Sequence, residues 1–393
     1  MRMPKFLPGF LVLYSATFLF VLPLLCWKLP HSLYFSKGSS TAEVERLKNL
    51  DLQRLAAAEY HFKEQVTGET NPQNSKHTDI TRPHIAVTII TVKRKSKKYQ
   101  PHYLTQCLHH FMKIVKEMKE IGQHWELSVC NVDSNPLKYE EAQNLSKYVT
   151  VFQPYVKKRS TAGNLFEKEK RDYVYCLNKT LNLHPEFAFV IEDDALPHPD
   201  FSRVFPDIVN RLMDNKSHSV SFNKDKIAYV KFYHPERLLG YFNPEPNRIP
   251  ELLIMGFILG AVTVWICQVV KLHIVGKNTH SLWLIFSVYF MLCMIAIGRV
   301  NVLELRRLSH HFYNIVPAPT CCTPAMLFPQ KGGHEIVNFL SKVECKNKYA
   351  MDTALDDFMR KSEVRPYYVE PNLFQHIGLY SSLRLKVLDP FIV

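Results

Sequence analysis

The sequence predicts an α/β domain with a largely parallel sheet, interrupted by a helical hairpin of membrane-spanning character and preceded by an N-terminal apolar anchor. Three observations predict it. Strand-like β-branched runs alternate with helix-period segments between residues 83 and 250, two charge-free apolar runs follow mid-chain, and another lies behind the first few residues. With 393 residues the chain can build one large domain, or two small ones, besides such segments. Its formal charge of +13 is scattered among acids, as in Glu167-Lys168-Glu169-Lys170-Arg171. That pattern reads as a solvated surface facing anionic partners such as nucleotide phosphates or lipid head groups, and no nucleic-acid partner is expected.

Residues 6–27 carry no charge and follow Arg2 and Lys5. They are long enough to cross a hydrocarbon core of ~30 Å. The run is too long for a cleaved signal peptide and no small-x-small site follows it, so it reads as an anchor behind a cytosolic tail, residues 1–5. Residues 251–270 and 281–298 form the hairpin, around a loop, 271–280, that bears Lys271 and Lys277. Neither run has a polar face at helical spacing, which argues against two buried helices of a soluble core. A hairpin crosses twice, so the chain before and after it shares one compartment. Arg299, Arg306 and Arg307 blunt the charge-bias argument for sidedness, but the sequons at Asn144, Asn178 and Asn215 are usable only in the lumen.

Cys26, Cys267 and Cys293 fall in the apolar runs, leaving Cys107, Cys130, Cys176, Cys321, Cys322 and Cys345, an even set that suits an oxidising lumen. The adjacent Cys321 and Cys322 are expected to pair with separate partners, because a vicinal disulfide is strained. No CxxC spacing points to structural zinc.

The lumenal chain opens with residues 28–82, read as stem and linker. Val44, Leu47, Leu55 and Ala58 recur among charges as in a stem helix over 42–66, and the polar stretch 67–82 contains Pro72. The domain proper is expected over 83–250 and, beyond the hairpin, 299–393. It starts with the buried-strand run 85–92; a helix follows, with Leu104, Leu108, Phe111, Ile114, Val115 and Met118 at helical spacing. Strands over 126–132 and 148–152, a helix over about 167–181 and a strand over 187–191 complete the pattern. Sites in such sheets lie beyond the C-terminal strand ends.

The run Phe187-Ala-Phe-Val-Ile191 leads directly into Glu192, Asp193 and Asp194. If the chain stays extended there, Glu192 and Asp194 face one way and Asp193 the other. Two carboxylates on one side of a strand end make a hard-oxygen site for Mn²⁺ or Mg²⁺, with diphosphate oxygens completing the shell. Alternatively, three acids mark a solvated turn before Pro197 and Pro199.

The segment Phe189-Val-Ile-Glu-Asp-Asp-Ala-Leu-Pro197 resembles the acid motif of GT-A-type glycosyltransferases. Thr91-Val-Lys-Arg94, Arg171-Asp-Tyr-Val-Tyr-Cys-Leu177 and the run from Asn372 to Ser382 resemble, in the same order, segments of the N-acetylglucosaminyltransferase IV family. The hairpin is absent from that family and characterises the Golgi family that adds N-acetylgalactosamine to the first mannose of GPI anchors, which this chain resembles from about residue 85 to 387.

The resemblance implies a multi-pass Golgi membrane enzyme with its catalytic domain in the lumen. It implies UDP-GalNAc as donor, Mn²⁺ or Mg²⁺ as cofactor, and GPI-anchored proteins and membrane lipid as partners. Asp194 would hold the metal, Glu192 would reach metal through water or the donor ribose, and Asp193 would orient its neighbours or the donor sugar. His376 matches a late histidine that reaches metal or diphosphate; on its own it reads as a hydrogen-bonded core histidine. Thr91 and Arg94 would contact the nucleotide, and Asp172 is a lesser donor contact.

Inverting transfer needs a carboxylate free of metal to accept the acceptor hydroxyl's proton. Asp352 is the first candidate and Asp356, one helical turn on, the second. Asp352 equally suits a helix N-terminus. Two other functions fit the same residues: an N-glycan GlcNAc transferase, and a non-catalytic membrane scaffold whose acids are structural.

Overall fold

The computed structural model describes residues 7–67, 83–94, 99–154, 164–213, 224–242, 248–270, 279–381 and 386–391. The linker, the Asn215 sequon, Lys277 and most of the basic run 93–98 lie outside them. The chain divides into two compact units, Met1–Gly38 with Pro235–Leu308, and Ser39–His234 with Ser309–Val393.

The first unit holds three helices long and apolar enough to cross a membrane, Pro8–Cys26, Arg248–Val269 and Thr279–Ile297. Small residues set the approach of the latter two. A Cβ on Gly260 would stand 2.3 Å from Ser287 Oγ and 2.8 Å from its backbone nitrogen, so the helices touch backbone to backbone there. The N-terminal helix joins them through Tyr14, which donates to Ile285 O at 2.8 Å, and through Thr17 and Tyr289, whose hydroxyls lie 2.8 Å apart. Arg299, almost fully buried, pairs with Glu251 at 2.7 Å. Such a buried cation is held by its partner carboxylate. Residues 235–250 and 299–308, expected in the catalytic part, therefore belong to the helical unit.

The second unit is built on strands β1 (Ile85–Thr91), β2 (Trp125–Asn131), β3 (Thr150–Phe152), β4 (Phe187–Glu192), β5 (Ala195–Pro197), β6 (Ile227–Lys231), β7 (Asn314–Pro317), β8 (Ala325–Pro329), β9 (Arg365–Glu370) and β10 (Phe374–His376). Eight of them make one sheet in the order β3-β2-β1-β4-β8-β6-β9-β7. The first four are mutually parallel, as expected. Beyond β4 the sheet is mixed, because β8 runs antiparallel to both β4 and β6, and β7 antiparallel to β9. The largely parallel expectation thus holds for the half that precedes the hairpin.

Strand β4 is apolar up to its last residue, Glu192, because both of its faces are covered. Phe187, Phe189 and Ile191 pack in one core with Phe111, Phe201 and Phe205, while Ala188 and Val190 pack in a second with Leu181, Phe328 and Leu355. Helix Leu165–Leu181 lies over the second face, capped by Asn164, whose side chain accepts from Glu167 N. A disulfide joins its Cys176 to Cys130 of β2. Asn144 and Asn178 are exposed, but the sequon hydroxyl of Thr180 is buried and donates to Thr88.

Two expectations are corrected. Cys321 and Cys322 pair with each other rather than with separate partners; both adopt left-handed φ, and Lys231 holds the loop by donating to Cys321 O at 2.8 Å. The segment read as a stem is helix Ser40–Thr67, and it is docked on this unit, burying Ala58 and Phe62 in the same core as Phe111.

Candidate active site

The parallel register aligns the C-terminal ends of β1 and β4, pairing Ile90 with Glu192. Glu192 is the last strand residue; the chain turns at Asp193 and Asp194 and starts β5 at Ala195. The turn changes the geometry expected of an extended chain. Glu192 accepts from Thr323 Oγ1 at 3.0 Å on one side. Asp193 and Asp194 instead converge on one guanidinium. Arg94 donates to Asp193 Oδ1 and, at 2.9 Å, to Asp194 Oδ2. Thr91 donates to Asp193 Oδ2 at 2.6 Å. The two residues expected at the nucleotide, Thr91 and Arg94, are thus the partners of the acids themselves.

The short antiparallel pair of β5 and β10 sets Ala195 opposite His376. It brings His376 Nε2 to 3.6 Å from Asp194 Oδ2, while Ile377 N donates to Asp194 O at 2.8 Å. Gly378 lies so close that a Cβ there would meet Asp194 Oδ2 at 2.3 Å. Asp194 Oδ1 is buried and has no hydrogen-bond partner among the described residues. An orphaned carboxylate oxygen beside an imidazole fits a divalent cation, because each would otherwise carry an uncompensated desolvation cost. Glu192 does not close this set: among the described residues, only Asp207, His310 and His311 bring three such ligand atoms within 4.8 Å of one another.

A cavity of about 350 Å³ opens at this sheet end, lined among others by Thr91, Arg94, Asp133, Asp172, Glu192 and Asp193. Burial raises the carboxyls of Glu192 and Asp193 well above the ordinary range. Asp194 adds to both shifts, and Arg94 and the two threonine hydroxyls oppose them. Burial works against the charge on Arg94, but the carboxylates of Asp193 and Asp194 more than offset it and lock the guanidinium protonated. Asp172 is paired with Lys168 in the cavity wall.

The base candidates are placed differently. Helix Met351–Lys361 forms as expected, yet it lines the cavity with Met351 and not with Asp352 or Asp356. Asp352 Oδ1 accepts from Thr353 N at 2.8 Å. Burial raises the Asp356 carboxyl, Lys231 opposing and Asp352 adding to the shift. Glu169 also lines the cavity, and its carboxyl is raised to about 7 by desolvation, with Asp352 and Asp172 adding and Lys168 opposing. Sequence reasoning passed over it, although it precedes Asp172 by three residues and therefore shares a helix face with it. Asp133 was missed too; it caps the end of β2 by accepting from Lys93 N at 3.2 Å.

The parallel half of the sheet thus brings Thr91, Arg94, Glu192 and Asp193 to one cavity, and Arg94 ties Asp194, with His376 beside it, to that group. The chain belongs to the GPI-N-acetylgalactosamine transferase PGAP4 family, whose model matches residues 85–375. Among solved structures it is similar to the mannosyltransferase PcManGT from Pyrobaculum calidifontis, in complex with GDP-Man and Mn²⁺. The identity is 17%, the TM-score 0.22, and the match covers 51% of this chain and 48% of that one. The chain thus spans about half the length of that protein.

Proposed function

We propose that this chain is an inverting, metal-dependent transferase that moves N-acetylgalactosamine from UDP-GalNAc to the first mannose of GPI anchors on proteins, in the Golgi lumen. The observation that carries the reading is the turn after β4. It sets Asp194, whose Oδ1 has no partner among the described residues, beside His376, and the Arg94 that binds Asp194 lines a cavity with the volume of a small-ligand pocket. Family membership supplies the donor and acceptor classes.

In this reading Asp194 and His376 hold Mn²⁺ or Mg²⁺, and Glu192 contacts the donor ribose from the other side of the turn. Bound metal neutralises the leaving diphosphate, help worth several kcal/mol in such reactions. Thr91 and Arg94 flank the nucleotide, Asp193 orients them, and Asp172 faces the donor. Of the base candidates, Asp352 and Asp356 stand outside the cavity lining, and Glu169, which lines it and feels Asp352, is the carboxylate placed to accept the acceptor hydroxyl's proton.

The hairpin has a task in this reading. It connects His234 to Ser309 within the catalytic chain, so the unit is tethered to the bilayer at internal points as well as at its start. Fewer orientations remain to be lost on meeting an acceptor whose mannoses stand close to lipid.

The test is a panel of UDP-sugars incubated with the full chain in detergent, with release of UDP as the readout. UDP-GalNAc is expected to be turned over, and Asp194→Ala to lower the rate by about 100-fold or more. Equal rates for the two proteins would make the acids structural and favour a scaffold. A preference for UDP-GlcNAc would favour the N-glycan transferase.

A further inference from the structure

We propose that Arg94 is a built-in counter-ion for the acidic pair, so that a divalent cation enters the site only together with the nucleotide diphosphate that draws the guanidinium away. The inference rests on the metal-dependent reading above and adds a condition to it.

Three observations carry it. The guanidinium contacts both acids, Asp193 Oδ1 and, at 2.9 Å, Asp194 Oδ2, the same oxygen that His376 Nε2 approaches to 3.6 Å. It is held there from behind as well. It lies 5.4 Å over the Tyr103 ring, and the Tyr103 hydroxyl accepts from Leu379 N at 2.9 Å, so the cation, the acids and the His376 strand form one block. Finally, Arg94 lines the 350 Å³ cavity beside Thr91, where the donor's diphosphate would lie.

A divalent cation bonded to Asp194 would share its carboxylate with the guanidinium on Oδ2, and two positive charges so close repel strongly in a buried site. Metal alone therefore has to displace Arg94 from two carboxylates without giving it a new partner. A diphosphate changes that balance, because its paired oxygens match the guanidinium fork and offer it an equivalent anionic site a few ångströms away. Asp194 is then left to the metal, with Asp193 still held by Thr91. Metal and nucleotide binding become coupled, and the coupling is reciprocal.

Manganese binding to the full chain in detergent, followed by electron paramagnetic resonance with and without UDP, tests this. Wild type is expected to bind Mn²⁺ weakly alone and about tenfold or more tightly with UDP, within the ordinary span of coupling between sites. Arg94→Gln is expected to bind Mn²⁺ alone at least about tenfold more tightly than wild type and to gain little from UDP. Arg94→Lys, which keeps the charge but not the fork, is expected to bind Mn²⁺ alone as weakly as wild type, which separates a counter-ion from a merely structural role. Arg94→Gln binding Mn²⁺ alone no better than wild type would overturn the proposal. Wild type that binds UDP but no Mn²⁺ would overturn it too, and would make Arg94 a permanent substitute for metal. Failure of wild type to bind UDP at all would instead bring down the transferase reading beneath it.

Discussion

Asp194 is the residue on which the site turns, and its surroundings leave little freedom. Arg94 and His376 share its Oδ2, and a Cβ on Gly378 would collide with the same atom. Gly378→Ala is expected to push that carboxylate off its partners, costing about 1–3 kcal/mol of stability as an overpacked buried position. Thermal unfolding of the purified chain measures the cost, and an unchanged midpoint would mean that the loop simply yields. Glu169 gives a pH test. Its raised carboxyl contributes stability that is present below the ordinary carboxylate range and lost as pH rises through about 7, when it ionises beside Asp172 and Asp352. Glu169→Gln is therefore expected to melt higher than wild type at pH 8 and alike at pH 4. A difference of the opposite sign would show that the carboxylates there are held by an unseen cation.

At the scale of elements, strand β4 was legible because both faces are buried, which writes an unbroken apolar run ahead of the acids. The helices were legible from their spacing, and α/β alternation foretold the parallel half of the sheet. Less of the site could be read. The pairing of β5 with β10 that carries His376 to Asp194 is a few residues long on each strand, too short to leave a periodic pattern. Nor does a strand end reveal whether the chain turns, so the expected alternation of Glu192, Asp193 and Asp194 gave way to a turn in which Asp193 and Asp194 share Arg94.

Helix Ser40–Thr67 reads as a stem because its apolar residues recur among charges, yet Phe62 is almost wholly buried against the domain. Phe62→Ala is expected to cost about 3–5 kcal/mol in chemical denaturation, and a cost near zero would return the helix to a stem. Removing the Cys130–Cys176 bridge, which closes a loop between β2 and the helix before β4, should cost ~2–4 kcal/mol by the same measurement.

On the scale of the whole molecule, the chain joins a family defined by transfer of N-acetylgalactosamine to a lipid-linked glycan, and it carries three helices fit to cross a bilayer. Two of those helices sit inside residues 85–375, the stretch that the family model matches, an arrangement that has a purpose if the acceptor is itself anchored in lipid. Replacing residues 235–308 with a soluble linker is expected to spare transfer to a free mannose-containing glycan and to abolish transfer to an anchored protein, both followed with radiolabelled donor. Equal transfer to both acceptors would deprive the hairpin of that role. The most direct test of the central claim is mass spectrometry of the anchor glycan on a GPI-anchored protein incubated with UDP-GalNAc, Mn²⁺ and either the wild-type chain or Asp194→Ala. A single added N-acetylhexosamine on the first mannose with wild type alone is predicted; its absence with both, or its presence with both, would contradict the account.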